Sequence, residues 1–385
     1  MERDGVKAIW YNEIVMKERL VQWIEGYIHL PSAGLDVSEH SIKYAQFLPR
    51  PRDAGGGLVL SCIGEEEVPE GAIVNGVVEK IDVLTAVLKK IGAKAGHAFR
   101  ASGMVVSLPE EKSFVRVFQT PKVGLREMAG AIRWKIEEEI PLPSEDVIYD
   151  FEPIHPIQGE IDHHDAVVTA FPRGIVAAYV RAIEDAGFLP VALELESQAI
   201  VRAVAPSIKA SETVMVIDMG RDRTSIILFA GGAIVFTTTV PVGGRTFDME
   251  IASARGISEK EAVEMKKKSG LTKDAYDEKT FAAITRTADT IAEELRRVIG
   301  YYQEHITHVH GGSSTVQSML LSGGGANMSG LDTYLASVIR IPVMLANPFA
   351  GLHGTLGLAV PPMLREQAIS FTAAIGLALR GTSET

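Results

Sequence analysis

Residues 320–335, LLSGGGANMSGLDTYL, run from an apolar strand pattern through three consecutive glycines into an amphipathic helix pattern. Gly323, Gly324 and Gly325 carry no Cβ, so a ligand can come close to the backbone there. A helix opening near residues 329–331 leaves its first N–H groups unpaired, which suits an anion. Such a loop takes a phosphate, stacks a nucleoside, or simply joins a strand tightly to a helix. The spacing is neither GxGxxG nor GxxxxGK[ST], so the dinucleotide-binding and P-loop readings fall away.

Working outward, VIDMGRDRTS (216–225) shares a pattern with GLDVSEHSIK (34–43). In both, an aspartate closes an apolar strand, a polar turn follows, and a hydroxyl residue opens the next strand: Asp36 with Ser41, Asp218 with Thr224. The second turn reads as the longer one. A duplicated strand–turn–strand predicts two similarly folded halves facing each other. Nucleotide phosphates need backbone donors and hydroxyls close by, with a carboxylate set back to hold Mg²⁺ through its waters. Asp36 with Ser38 and Ser41, and Asp218 with Gly220 and Thr224, offer that set twice, although each aspartate taken alone suits a turn equally well.

The remaining chain reads as further α/β structure. Residues 104–191 give the order β, β, α, β, β, α and predict a separate small α+β module. LREMAGAIRWKIEEEI and RGIVAAYVRAIEDAG are its helices, the second closed by Gly187. SIILF, a glycine turn and AIVFTTTV predict a hairpin within 224–244, and residues 257–270, 281–306 and 371–380 read as helices. Residues 1–29 precede the first strand and carry apolar positions at roughly helical spacing.

Composition limits the function. In 385 residues, 46% are hydrophobic and the net charge is −11, which excludes disorder and argues against a partner that is nucleic acid or an anionic membrane. The uncharged stretch 341–364 carries four prolines, so no membrane helix is expected, and the N-terminus lacks a signal-peptide pattern. A cytoplasmic protein is the expectation. One cysteine, Cys62, excludes an internal disulfide and reads as a small buried apolar residue. His305, His308 and His310 have no acid or cysteine pair nearby and read as solvated rather than metal-binding, and His163 and His164, placed in a polar loop GEIDHHD, are read the same way.

On these motifs the chain resembles the actin-like ATPases, and more closely the PilM family of type IV pilus assembly. GLDVSEHSIK, VIDMGRDRTS and LLSGGGANMSGLDTYLA resemble the first phosphate, second phosphate and adenosine motifs of those ATPases. VPVGGRTFDMEIA, SEKEAVEMKKKSG, KIEEEIPLP and AIGLALR resemble PilM segments, so that the resemblance runs over residues 32–380. It implies an actin-like, ribonuclease H-like α/β fold of two lobes with an inserted α+β module. The expected divisions are an N-terminal extension (1–29), the first part of lobe 1 (30–103), the module (104–191), a lobe 1 connecting helix (192–211), lobe 2 (212–358) and a C-terminal helix returning to lobe 1 (359–385).

By the same resemblance, ATP and Mg²⁺ occupy the cleft. Asp36 and Asp218 organise the metal, Ser38, Ser41, Gly220 and Thr224 meet the phosphates, and Gly243 and Gly244 let the nucleotide approach. Lys266 reaches the ribose or adenine, Gly323, Gly324, Gly325 and Ala326 lie against the base and α-phosphate, and Glu196 or Gln198 positions the attacking water. The implied partner is the cytoplasmic tail of the inner-membrane protein PilN, bound beside the module within the pilus assembly complex, with self-association a further expectation and the inner membrane reached only through partners. The first turn departs from the family's small residues: Ser38, Glu39 and His40 put a carboxylate where phosphates are expected, and Arg221, Asp222 and Arg223 crowd the second turn. At most a weak ATPase follows, and a nucleotide-free pseudo-ATPase scaffold, an FtsA-like cell-division filament and a kinase on the same fold stay open. FtsA kinship predicts a C-terminal amphipathic helix, which AIGLALRGTSET does not resemble.

Overall fold

Strands β1 (Ser32–Val37), β2 (Ser41–Pro49) and β3 (Leu58–Glu67) form the antiparallel meander that the first aspartate motif predicts. A small hairpin of β4 (Ile73–Val74) and β5 (Val77–Val78) follows. β6 (Gly103–Leu108) adds to β1 in parallel, and β10 (Leu189–Leu195) adds to β6, giving a five-stranded sheet. β11 (Val214–Met219), β12 (Thr224–Ala230), β13 (Ala233–Val240), β14 (Ser318–Ser322) and β15 (Val343–Leu345) repeat the arrangement: an antiparallel meander, then two parallel strands on its first member. The duplication read from the aspartate motifs is thus a duplication of whole sheets. This computed structural model describes residues 32–49, 57–95, 103–154, 163–209, 211–306, 313–350 and 363–383. The expected N-terminal helix, His308 and His310 lie outside the described residues.

The helices cover the sheets by their apolar faces. In lobe 1, α1 (Ile81–Ala95) packs Leu84, Leu88 and Ile91 into one core with β1 and β6. On the other face, the C-terminal helix α10 (Thr372–Ser383) lies across β1 and β2 and against α4 (Glu196–Val204). The α4–α10 crossing is close: a Cβ on Gly376 would sit 1.8 Å from the Ala199 carbonyl oxygen, so no other residue fits. Glu194, at the end of β10, accepts hydrogen bonds from Arg202 of α4 (2.8 Å) and Arg380 of α10 (2.7 Å), holding the three elements together. α10 is therefore a structural part of lobe 1, its Ala374, Ile375, Leu377 and Ala378 buried. In lobe 2, α5 (Gly244–Arg255), α6 (Glu259–Ser269) and α7 (Glu278–Tyr301) pack on one face, α8 (Leu331–Ile339) joins β14 to β15, and the short α9 (Arg365–Ser370) leads into α10.

The stretch 104–191 divides differently from its reading as one module. β6 is buried on both faces and belongs to the lobe 1 sheet between β1 and β10. α3 (Arg173–Asp185) buries Tyr179, Ala182 and Ile183 in the lobe 1 core beside α1. The module proper is the sheet β7 (Phe114–Pro121), β9 (His163–Pro172) and β8 (Val147–Ile154), in that spatial order, with α2 (Leu125–Glu139) on one face. Its opposite face, through Ile154 and Val167, joins the core of lobe 2. A strand buried on both faces carries no alternation that says which sheet it joins, and proximity in sequence alone puts β6 with the module. His163 and His164 open β9 rather than sitting in a loop. Cys62, on β3, is half-buried, and partial burial pushes its thiol pKa up, so it has no thiolate character.

Candidate functional site

The two hairpins present their residues in the same register. Asp36 lies directly opposite Lys43, and Asp218 directly opposite Ser225. The partners are equally separated along the chain, so the two turns have one length, which corrects the longer second turn expected from matching Ser41 with Thr224. Side chains alternate between faces of a strand, so a one-residue shift changes the face presented. Thr224 is fully buried, and its hydroxyl donates to the Val242 carbonyl (2.6 Å). Ser225 instead faces the space between the lobes, as Lys43 does.

That space is a cavity of about 730 Å³. It is lined by Asp36, Ser38, Ser41, Lys43, Glu196, Asp218, Gly220, Gly244, Lys266, Gly323, Gly324 and Gly325, which brings together most of the expected set. Thr224, Gly243, Ala326 and Gln198 are not among its lining residues. Gly243 packs against the Arg221 backbone, and Ala326 is the buried residue of the short 3₁₀ turn of residues 324–327. Gln198 caps its own helix: its side-chain oxygen accepts the Leu195 N–H (3.1 Å), and it borders a second cavity of about 340 Å³ between the module, α4 and the β12–β13 turn. A Gln at the third helical position was the available signal for that capping role. Lys43 and Ser225 were missed, and strand periodicity counted from each aspartate finds both.

Burial and mutual repulsion set the electrostatics. Burial raises the Asp36 carboxyl pKa against the pull of Lys43 and a Ser107 hydroxyl that donates to it (3.2 Å). Asp218 is pushed up to about 6, chiefly by burial and then by Asp36, with Ser322 and Lys43 opposing. Glu196 is raised well above the usual carboxylate range by burial and by the charges of Asp36, Asp218 and Glu110. Three acids thus share one lysine. A divalent cation between them would relieve that imbalance, so the donor set fits Mg²⁺. Among the described residues no three acids, histidines or cysteines form a closed metal cage, which leaves coordination to carboxylate, phosphate and water.

The other walls are built from backbone. Gly220 N–H bonds Arg223 O (2.9 Å), and Gly244 N–H bonds Gly220 O (3.0 Å), so the second turn is fixed to the start of α5. Lys266 donates to Gly244 O (2.6 Å) and to the Asp248 carboxylate (2.8 Å); burial pulls its amine pKa down despite Asp248. Gly323 has φ +81°, and a Cβ there would lie 2.5 Å from the Met219 carbonyl oxygen, so both conformation and space require glycine. α8 begins at Leu331 as expected, but between the glycines and that helix the lining stops at Met328, so the glycine loop and its 3₁₀ turn form the wall in place of the helix N-terminus. Across the two crowded turns, Arg223 is engaged by Glu39 and by Glu111, and His40 by Asp222.

A family model described as type IV pilus assembly protein PilM matches residues 34–382. The chain belongs to the PilM family. It is 25% identical to the solved PilM of a PilM–PilN type IV pilus biogenesis complex, with a TM-score of 0.75, covering 92% of this chain and 99% of that one. A more distant neighbour, MreB5 of Spiroplasma citri bound to ADP, is 14% identical with a TM-score of 0.50 over 92% of this chain and 97% of that one, a likeness of fold. Among curated proteins, the cell division protein FtsA of Borreliella burgdorferi is 24% identical over 52% of this chain, and FtsA of Bacillus subtilis 22% identical over 75%. The chain spans half of the first and 73% of the second. This PilM-family chain is a type IV pilus assembly protein with the actin-like fold, and among its described residues no helix is long and apolar enough to cross a membrane.

Proposed function

We propose that the cleft binds ATP with Mg²⁺ and that the chain is a nucleotide-binding adaptor that takes the cytoplasmic tail of a PilN-like inner-membrane protein. The observation that carries the first part is the pairing of Asp36 and Asp218, each at the end of a repeated strand, around Lys43 in one cavity. Lys43 and the Ser38, Ser41 and Ser225 hydroxyls would meet phosphate oxygens, and Asp36 and Asp218 would hold the cation, whose charge stabilises the bound triphosphate. Gly323, Gly324 and Gly325 would pass the base, with Lys266 beside the ribose.

Turnover is expected to be slow. Gln198 is spent on capping, which leaves Glu196 to orient water, and a carboxyl raised by burial is a poor base when it holds its proton. The partner reading is supported by the likeness to a PilM solved in complex with PilN and by the exposed apolar side chains Leu189 and Val191 on the edge strand β10. It places the chain in the cytoplasm, at the inner membrane through its partner. α10 is itself built into lobe 1 and is not the exposed amphipathic helix that FtsA kinship predicts.

Titration of a fluorescent ATP analogue tests the cleft: saturable, Mg²⁺-dependent binding lost in Asp36→Ala supports it, and equal binding by that variant refutes it. Retention of the chain on an immobilised PilN tail, unaffected by Asp36→Ala, tests the adaptor role separately.

A further inference from the structure

Glu39 and His40 on the first turn, and Asp222 and Arg223 on the second, meet across the mouth of the cleft. His40 Nε2 pairs with Asp222 Oδ2. Arg223 forks, one nitrogen to Glu39 Oε1 at 3.0 Å and the other to Glu111 in the 3₁₀ turn after β6. Each bridge has one partner on lobe 1 and one on lobe 2, and the polarity is crossed: base to acid in one, acids to base in the other. All five residues line the same cavity and are 24–32% exposed. Arg221 and Arg245 line the same cavity beside this set, Arg245 being paired with Glu259 and within the field of Asp222.

We propose that these five side chains form a clasp that sets the spacing of the two lobes and regulates access to the cleft. A phosphate loop lined by small residues leaves lobe closure to the ligand. Here closure is supplied by the chain itself, and a polyphosphate entering between the turns must part the bridges. Partly exposed ion pairs are individually weak and strongly screened by salt, which makes such a closure reversible under mild conditions. Crossed polarity adds register, because sliding one turn past the other brings Glu39 toward Asp222 and His40 toward Arg223. The clasp rests on the nucleotide reading only for the identity of what enters.

The test is the distribution of distances between spin labels on exposed Lys89→Cys of α1 and Lys260→Cys of α6, in a Cys62→Ala background of the full chain, measured by double electron–electron resonance. Adding Asp222→Asn and Arg223→Gln should shift the distribution to longer, broader distances. Raising salt to ~1 M, where the Debye length falls to ~3 Å, should produce the same shift without any change at the clasp, which covers the case of a variant that does not fold. An unchanged distribution under both treatments overturns the proposal. A shift in a chain that binds no nucleotide upholds the clasp and removes the nucleotide reading alone.

Discussion

Lys43 lies directly opposite Asp36 in the β1–β2 ladder, and lowers the pKa of Asp36, Asp218 and Glu196. One ammonium therefore serves three acids at the base of the cleft. Lys43→Met should weaken Mg²⁺–ATP binding at least tenfold, since a charge-assisted contact is worth ~1.5–3 kcal/mol. It should also lower stability at pH 8 more than at pH 4, where the acids carry protons. Calorimetric titration and urea unfolding at the two pH values check both parts.

Asp218 gives a pH dependence of defined sign. Its carboxyl binds a proton more tightly folded than unfolded, its pKa moving from 3.8 to about 6. The favourable contribution is complete below the unfolded value and lost as pH rises through the folded one, so the ionised carboxylate costs stability at neutral pH. Asp218→Asn should raise stability at pH 7.5 by ~1–3 kcal/mol, from ~1.4 kcal/mol per pKa unit, with the gain shrinking toward pH 4. The same variant should lose the ~2.7 kcal/mol that nucleotide at a hundred times its Kd confers on the wild type. Thermal unfolding with and without Mg²⁺–ATP reads both effects.

Thr224 and Ser225 are neighbours with opposite tasks. Thr224→Val leaves the buried Val242 carbonyl without its 2.6 Å donor and should cost ~1–3 kcal/mol of stability with little change in nucleotide affinity. Ser225→Ala should do the reverse. Parallel unfolding and binding measurements separate them.

Much of this arrangement was legible in the residues. The aspartate motifs and the glycine run are local signals, and each marks a strand end whose position in the cleft follows from the duplicated sheet. What was missed depended on which face or sheet a residue joins. Matching hydroxyls, Ser41 to Thr224, put the second hairpin out of register, because a hydroxyl looks alike whether it faces a ligand or a buried carbonyl. β6 shows no periodicity, being buried on both faces. The Glu39–Arg223 and His40–Asp222 bridges join residues of different lobes, so their charges read as misfits until the lobes face each other.

Glu194 offers a check on the C-terminal helix. Its buried carboxylate receives Arg202 and Arg380. Glu194→Ala should cost ~3 kcal/mol, as expected for breaking a buried pair, and release α10. Hydrogen exchange along residues 372–383 should then rise ahead of the rest of lobe 1.

A crystal structure of the chain grown with Mg²⁺ and a non-hydrolysable ATP analogue decides whether the cleft is a nucleotide site. Phosphates are expected between the β1–β2 and β11–β12 turns, the cation beside Asp36 and Asp218, and the base against Gly323, Gly324 and Gly325. A saturating analogue found outside this cleft, or no analogue bound at all, would contradict that assignment.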